Sequence, residues 1–210
     1  MELDHVYVFT TVGAPEARVL VEAGLTEGSG NVHPGQGTSN RRFFLHNFML
    51  ELIWLRDEAE ARSAVVAPTL LWERSRHQAC PMGICLRGAR TELPFPTWEY
   101  RPPYLPAGRA IHVAHTPPEE PLLFLVDGLV RPDEYPEARR EPLEHAAGLR
   151  ELTSLRLTMP TTPSVPLRAL ESLELVRLHH GVATRMELQF DDGKRGWTRE
   201  LHPLPWTLSA

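Results

Sequence analysis

A histidine stands among glycines in the segment NVHPGQGTSNRRFFL, Asn31 to Leu45. Such a loop could cradle a phosphate, hold a metal through His33, or form only a turn. A phosphate-binding P-loop requires a lysine after its second glycine, but Thr38 follows Gly37. A dinucleotide-binding loop requires three glycines that enter a helix, whereas the aromatic residues that follow here favour a strand. The segment is therefore predicted to be a loop that leads into a strand.

The spacing of the two cysteines indicates neither a redox pair nor a zinc site. Cys80 and Cys85 lie in CPMGIC, which fits neither a redox CxxC pair nor a four-ligand zinc site. Two reduced, partly buried thiols are expected.

Composition excludes several classes of partner. The chain has 210 residues, 42% of them hydrophobic, which is enough for a substantial core. A net charge of -5 with dispersed basic residues predicts no nucleic-acid partner. No apolar run approaches the roughly 18 residues of a membrane span, and MELDHVYVFT does not resemble a signal peptide. We expect a cytoplasmic protein without membrane contact.

The first third predicts a β-α-β-β-β order over residues 1–57. LDHVYVFT, Leu3 to Thr10, is typical of a strand, and APEARVLVEAGL predicts a helix with Pro15 in its first turn. RRFFLH and FMLELIWL predict two further strands. A short strand between Glu27 and His33 would complete the unit.

The last third repeats this order over residues 150–202. LTSLRLTM, Leu152 to Met159, alternates as a strand does, and SVPLRALESL predicts a short helix. LELVRLHH, ATRMELQFDD and RGWTREL follow as strands, with a turn at DDGK. Between the two units, residues 80–127 predict four short strands without a helix, and residues 131–148 predict a polar connecting loop.

The repeated unit, with LDH in its first strand and LEL in its fourth, resembles the vicinal oxygen chelate superfamily. More narrowly, HPGQGTSNRRFF with LEL, PLLFLV, GLREL and MELQFDDGK resemble glyoxalase-like domain proteins. The resemblance covers most of the chain. It implies an α+β fold in which paired βαβββ modules form a curved mixed-sheet cup, here with extra strands between the modules.

In that superfamily a divalent metal is held by side chains of the first and fourth strands, which implies His5 and Glu51 here. An imidazole and a carboxylate suit Zn, Mn, Fe or Ni, and an open coordination position would polarise two neighbouring substrate oxygens. An ionised Glu51 among apolar neighbours needs a partner. A metal, Arg41 or Arg42, or a protonated His5 could supply it, so a structural salt bridge or a neutral hydrogen bond is the alternative to metal binding.

The second unit departs from the family pattern. Its alignment with the first places Ser154, a poor metal ligand, opposite His5, and Glu200 lies near a strand end. A four-ligand site is therefore not visible. His112 could complete the site from the middle region, but His112 and His115 are three residues apart and so lie on opposite faces of a regular strand.

Two further groups are candidates for substrate binding. The resemblance places the glycine-rich loop at the rim of the cup, where His33, Thr38 and Asn40 would contact a small molecule. The alternative is a solvated loop whose polar side chains bond local backbone. The stretch FPTWEYRPPYLP could add an aromatic wall through Trp98, Tyr100 and Tyr104, although core packing explains Trp98 equally well.

The sequence thus favours a small-molecule enzyme, a lyase, isomerase or dioxygenase, with His5 and Glu51 as metal ligands or as an acid–base pair. The alternative is a metal-free protein that binds or sequesters a small molecule in the same cup. A third reading is a cup that serves a protein interface, and a homodimer is compatible with each of the three.

Overall fold

The computed structural model describes residues 1–210 and contains two β-sheets and four short α-helices. The helices are α1 (Ala17–Glu22), α2 (Glu58–Ala61), α3 (Leu71–Ser75) and α4 (Val165–Ser172). The strands are β1 (Glu2–Phe9), β2 (Asn31–His33), β3 (Thr38–Phe44), β4 (Met49–Leu55), β5 (Met82–Arg87), β6 (Thr97–Tyr100), β7 (Ile111–Ala114), β8 (Leu122–Val126), β9 (Leu152–Met159), β10 (Arg177–His180), β11 (Arg185–Phe190), β12 (Thr198–Glu200) and β13 (Trp206–Ser209).

The larger sheet consists of two halves with the same internal order. Its eight strands run β2-β3-β4-β1-β5-β8-β7-β6. In the first half β1 is parallel to β4, and in the second half β5 is parallel to β8. The two halves meet where β1 and β5 pair in antiparallel orientation. These are the paired modules of a curved mixed sheet, and the fold is α+β as predicted.

The predicted β-α-β-β-β order of the first unit is present, including the short strand β2. The second half of the sheet is built by residues 82–126, where four short strands were predicted between the two units. A single 3₁₀ turn at Arg90–Glu92 stands where the first half has its helix α1. Without an amphipathic helical segment, the sequence of this half does not show the βαβββ pattern.

Residues 150–202 were expected to pair with the first unit, and the structure corrects this. They form a βαβββ-like unit that, together with β13, makes a separate sheet with the order β10-β9-β11-β13-β12. The physical reason lies at β1, whose two edges are already occupied by β4 and β5. No edge of β1 is left for β9.

Side-chain alternation divides the larger sheet into an outer and an inner face. Val6 and Val8 of β1 point outward into a continuous apolar core that also contains Leu155 and Leu157 of β9 and residues of α1 and α4. The smaller sheet therefore covers the outer face. The inner face carries a second apolar cluster that includes Tyr7, Phe9, Ile53 and Phe124, and this face forms a cup.

The longest helix, α4, has eight residues, and none of the helices has the length and apolar character needed to cross a membrane.

Candidate functional site

The inner face of the eight-stranded sheet encloses a cavity of about 200 Å³. Both halves of the sheet contribute to it, and thirteen of the twenty lining residues are hydrophobic. The apolar lining includes Met49 and Ile53 from β4, Leu71 from α3, and Ile111, Val113, Leu122, Phe124 and Val126 from β7 and β8. Most of the polar side chains in this lining lie at two places, the floor and the rim.

The floor contains His5 and Glu51, which the structure brings together as expected. Their strands are neighbours, and His5 Nε2 lies 3.5 Å from Glu51 Oε2. The Asn40 side-chain amide donates to the other carboxylate oxygen, Oε1. Arg41 instead pairs with Glu27. Glu51 is only 6% exposed. A carboxylate buried to this extent needs polar partners, and those of Glu51 are His5 and Asn40.

The His5 imidazole lies between two acidic side chains. Its Nδ1 is 2.6 Å from Asp4 Oδ1. Burial on its own would lower the pKa of His5, but contact with Cys85 and the hydrogen bond with Asp4 raise that pKa well above its ordinary value. The raised pKa favours the charged imidazole, which is hydrogen-bonded to Asp4 through Nδ1 and turns Nε2 toward Glu51 at 3.5 Å. A protonated His5 was one of the partners predicted for Glu51.

The second half of the sheet does not complete a metal site with His5 and Glu51, the two ligands that the resemblance implied. On β5, the positions that face the cup are Gly83 and Cys85, and burial raises the pKa of the Cys85 thiol to about 11. The strand β8, which corresponds to β4, presents apolar side chains such as Phe124. Donor atoms of Asp4, His5 and Cys85 lie within 4.8 Å of one another. The Asp4 carboxylate, however, already bonds His5 and Arg87.

Other residues considered as metal ligands lie elsewhere. Ser154 and Glu200 belong to β9 and β12 of the smaller sheet. His112 was expected to complete the site, but the structure places it outside the cup. Its neighbours Ile111 and Val113 line the cup, so alternation along β7 turns His112 to the opposite face, where Nε2 lies 2.9 Å from Asp127 Oδ2.

The glycine-rich loop supplies the polar groups of the rim. His33 and Asn40 line the cavity, whereas Thr38 is fully buried behind them. His33 Nδ1 lies 2.9 Å from Thr38 Oγ1, and Gln36 Nε2 donates to the same oxygen at 2.8 Å. Burial lowers the pKa of His33, which keeps the imidazole neutral at pH 7.

Gln36 is a cavity-lining residue that was not predicted from the sequence. It stands between Gly35 and Gly37, both with positive φ, which turn its side chain inward. A long polar side chain between two such glycines was the one signal that could have identified it.

The aromatic stretch contributes two of its three predicted residues to the cavity. Tyr100 and Tyr104 line it, and both hydroxyls donate to Gln36 Oε1, at 3.0 and 3.4 Å. Trp98 packs against the inner cluster without lining the cavity. Tyr7, which the sequence did not single out, also lines the cavity, and its buried hydroxyl has no hydrogen-bond partner.

Comparison with known proteins finds similarity in structure but not in sequence. No protein-family profile and no curated protein matches the chain. A hypothetical protein from Staphylococcus aureus superposes with a TM-score of 0.55 and 9% identity over 99% of this chain and 98% of its own. A fusion of a xylose isomerase-like TIM barrel with 4-hydroxyphenylpyruvate dioxygenase gives 0.51 and 12% identity over 91% of this chain and 37% of its own.

Methylmalonyl-CoA epimerase from Mycobacterium tuberculosis superposes less well, with a TM-score of 0.39 and 15% identity over 61% of this chain and 89% of its own. Identities this low bear on the fold alone. The paired halves of the eight-stranded sheet and the likeness to the dioxygenase fusion agree with the resemblance in the sequence. The chain therefore shares its overall fold, a curved mixed sheet built from two paired halves, with these solved structures.

Proposed function

We propose that the protein is a small-molecule enzyme that moves a proton within a largely apolar substrate, with Glu51 as the base. The observation that carries this proposal is a buried carboxylate on the floor of an apolar cavity, held by Asn40 and by His5 at 3.5 Å. Burying such a pair is costly, and a cup that only stored an apolar compound would not need it. Buried acid–base pairs in clefts are typical of catalytic sites.

The chemistry follows from these positions. The apolar wall binds the body of the substrate and excludes water. Glu51 removes a proton from a carbon next to a carbonyl group, and the electron pair of that C–H bond moves to the carbonyl oxygen. Returning the proton to another carbon completes an isomerisation, whereas loss of a leaving group completes a lyase reaction. His5 and Asn40 hold the carboxylate in place, and His33 and Asn40 contact the substrate.

The donor set does not support a metal ion at this site, so no step of the proposal passes through one. The rate is accordingly expected to be unchanged by a chelator. Loss of activity on chelation, with recovery on adding Zn, Mn, Fe or Ni, would contradict this and favour the metal-dependent enzyme that the resemblance implied.

Proton exchange with solvent tests the proposal directly. Small aryl and alkyl ketones and aldehydes are incubated in D₂O, and loss of the α-proton signal is followed by NMR. The wild-type protein should accelerate exchange of at least one compound, and Glu51→Gln should reduce that rate by about 100-fold or more. Glu187→Gln is the matched control, because Glu187 pairs with Arg156 on the smaller sheet. Equal rates for wild type and Glu51→Gln would overturn the proposal.

The second candidate is metal-free sequestration of a small apolar compound. The predominance of hydrophobic residues in the lining and the missing ligand positions on β5 and β8 favour it. This function predicts thermal stabilisation by a compound that binds in the cup without any Glu51-dependent exchange of its protons.

A further inference from the structure

Four side chains form a hydrogen-bonded series that ends at the rim of the cup. Tyr100 donates to Gln36, Gln36 donates to Thr38, and Thr38 contacts His33 Nδ1. We infer that this series fixes His33 as a hydrogen-bond donor into the cup, so that the bound molecule presents an acceptor oxygen, a carbonyl or a carboxylate, to His33 Nε2. The inference rests on the proposed function, because it assumes that the cup binds a small molecule.

The orientation of Gln36 follows from the two tyrosines. The hydroxyls of Tyr100 and Tyr104 meet the same atom of Gln36, and neither has another acceptor. A carbonyl oxygen accepts two hydrogen bonds, whereas an amide nitrogen accepts none. The atom they share is therefore Oε1, and Nε2 is left to donate to Thr38 Oγ1 at 2.8 Å.

The tautomer of His33 follows from the orientation of Gln36. Because Thr38 Oγ1 accepts from Gln36, its single proton is free to point to His33 Nδ1, 2.9 Å away. Nδ1 then carries no proton, and the proton of the neutral ring is on Nε2. His33 lines the cavity, and its Nε2 has no hydrogen-bond partner in the protein.

The surroundings hold this arrangement in place. Thr38 is fully buried, and the Tyr104 ring packs against His33 with 4.8 Å between the ring centroids. Gln36, Thr38 and Tyr100 are thus positioning residues that act through His33. A donor at Nε2 would bind a substrate carbonyl and stabilise the negative charge that develops on its oxygen when Glu51 removes a proton.

Nitrogen-15 NMR of histidine-labelled protein observes the tautomer without a ligand. In the wild type, His33 should show an unprotonated Nδ1 and a protonated Nε2. Gln36→Glu replaces the amide donor by a carboxylate that accepts the Thr38 proton, so the oxygen of Thr38 now accepts from His33 and the tautomer inverts. Thr38→Val removes the hydroxyl and should leave both tautomers populated. Gln78→Glu, at an exposed position, is the matched control and should change nothing.

A pair of isosteric probes tests the ligand class. Acetophenone carries an acceptor oxygen, and α-methylstyrene has the same shape without one. The wild type should bind acetophenone about tenfold more tightly, which corresponds to one net hydrogen bond. His33→Phe and Gln36→Glu should remove this preference.

The outcomes separate this inference from the proposed function. A proton on His33 Nδ1 in the wild type, or equal binding of the two probes, would overturn the donor role even if Glu51-dependent exchange occurs. The expected tautomer and probe preference without Glu51-dependent exchange would support the donor role and overturn the acid–base function.

Discussion

Arg74 shows how a single buried residue joins separate parts of the chain. Its guanidinium is 1% exposed and donates to the backbone carbonyl oxygens of Thr69, Cys80 and Glu120. No carboxylate pairs with the guanidinium, so its buried positive charge is compensated by these three carbonyl oxygens. It connects the α3 segment beside the cavity to the entrances of β5 and β8.

Replacing Arg74 by leucine should lower the free energy of unfolding by about 3 kcal/mol, because three buried carbonyl groups lose their partner. Urea denaturation measures this change. Arg76→Leu, at an exposed position, should change stability by less than about 0.5 kcal/mol. Similar losses for the two variants would show that the buried bonds contribute nothing.

His145 predicts a pH dependence of stability at the residue scale. Thr26 N donates to its Nδ1 at 3.0 Å, and its Nε2 lies 2.8 Å from Phe44 O, an arrangement that needs the neutral ring. Burial lowers the pKa of His145 in the folded protein. The unfolded chain therefore takes up the proton first as pH falls, and the contribution of His145 is present above its unfolded pKa of about 6.5 and lost through the lower folded pKa.

The free energy of unfolding should accordingly fall further in the wild type than in His145→Gln between about pH 7.5 and about pH 5. Glutamine keeps one donor and one acceptor but does not titrate in this range. Denaturation at both pH values checks the difference, and identical pH profiles would rule out His145 as a source.

At the scale of elements, the packing of β1 on β5 sets the shape of the cup floor. Tyr7 of β1 lies across Gly83 of β5, and a Cβ added at Gly83 would be 2.1 Å from the Tyr7 ring. Position 83 requires glycine because of this close approach. Backbone conformation is not the reason, because the φ of Gly83 is not positive. A larger residue at position 83 would push the ring of Tyr7 into the cavity.

Gly83→Ala should therefore lower the free energy of unfolding by about 1 to 3 kcal/mol through overpacking. In a Tyr7→Leu background the same substitution should cost less than about 1 kcal/mol, because the clashing ring is gone. Denaturation of the four proteins gives both values. Equal costs in the two backgrounds would show that the Tyr7 ring is not the cause.

At the scale of the whole molecule, the two sheets share one apolar core and should unfold together. Leu157 of β9 is fully buried in the core that also holds Leu50 and Leu52 of β4. Leu157→Ala should destabilise the chain by about 2 to 5 kcal/mol. Hydrogen exchange should show reduced protection in β4 as well as in β9.

A loss of protection confined to β9 and its neighbours would instead make residues 150–210 an independent unit. Leu173→Ala is the control, because Leu173 is 43% exposed and lies outside the shared core.

Local sequence patterns were sufficient to predict the strands that form the first half of the cup. Alternation and aromatic content identified β1, β3 and β4, and the resemblance placed His5 and Glu51 on adjoining strands, where the structure brings them together. The four strands within residues 82–126 were also predicted, but not that they form the second half of the sheet, because the helix that marks a βαβββ unit is reduced there to one turn at Arg90–Glu92. Gln36 escaped notice because its contacts are with residues 64 and 68 positions away.

The sequence by itself determined the α+β class and most of the strands, since these depend on side-chain period and on residue types, and the resemblance pointed to His5 and Glu51. Only the tertiary structure decided which strands close the cup. An edge of β1 can pair with any strand that offers backbone hydrogen bonds, and local periodicity does not distinguish β5 from β9. That choice gives the cup Cys85 and Phe124 in place of further metal ligands, turns His112 away from the cavity, and leaves the smaller sheet to cover the outer face.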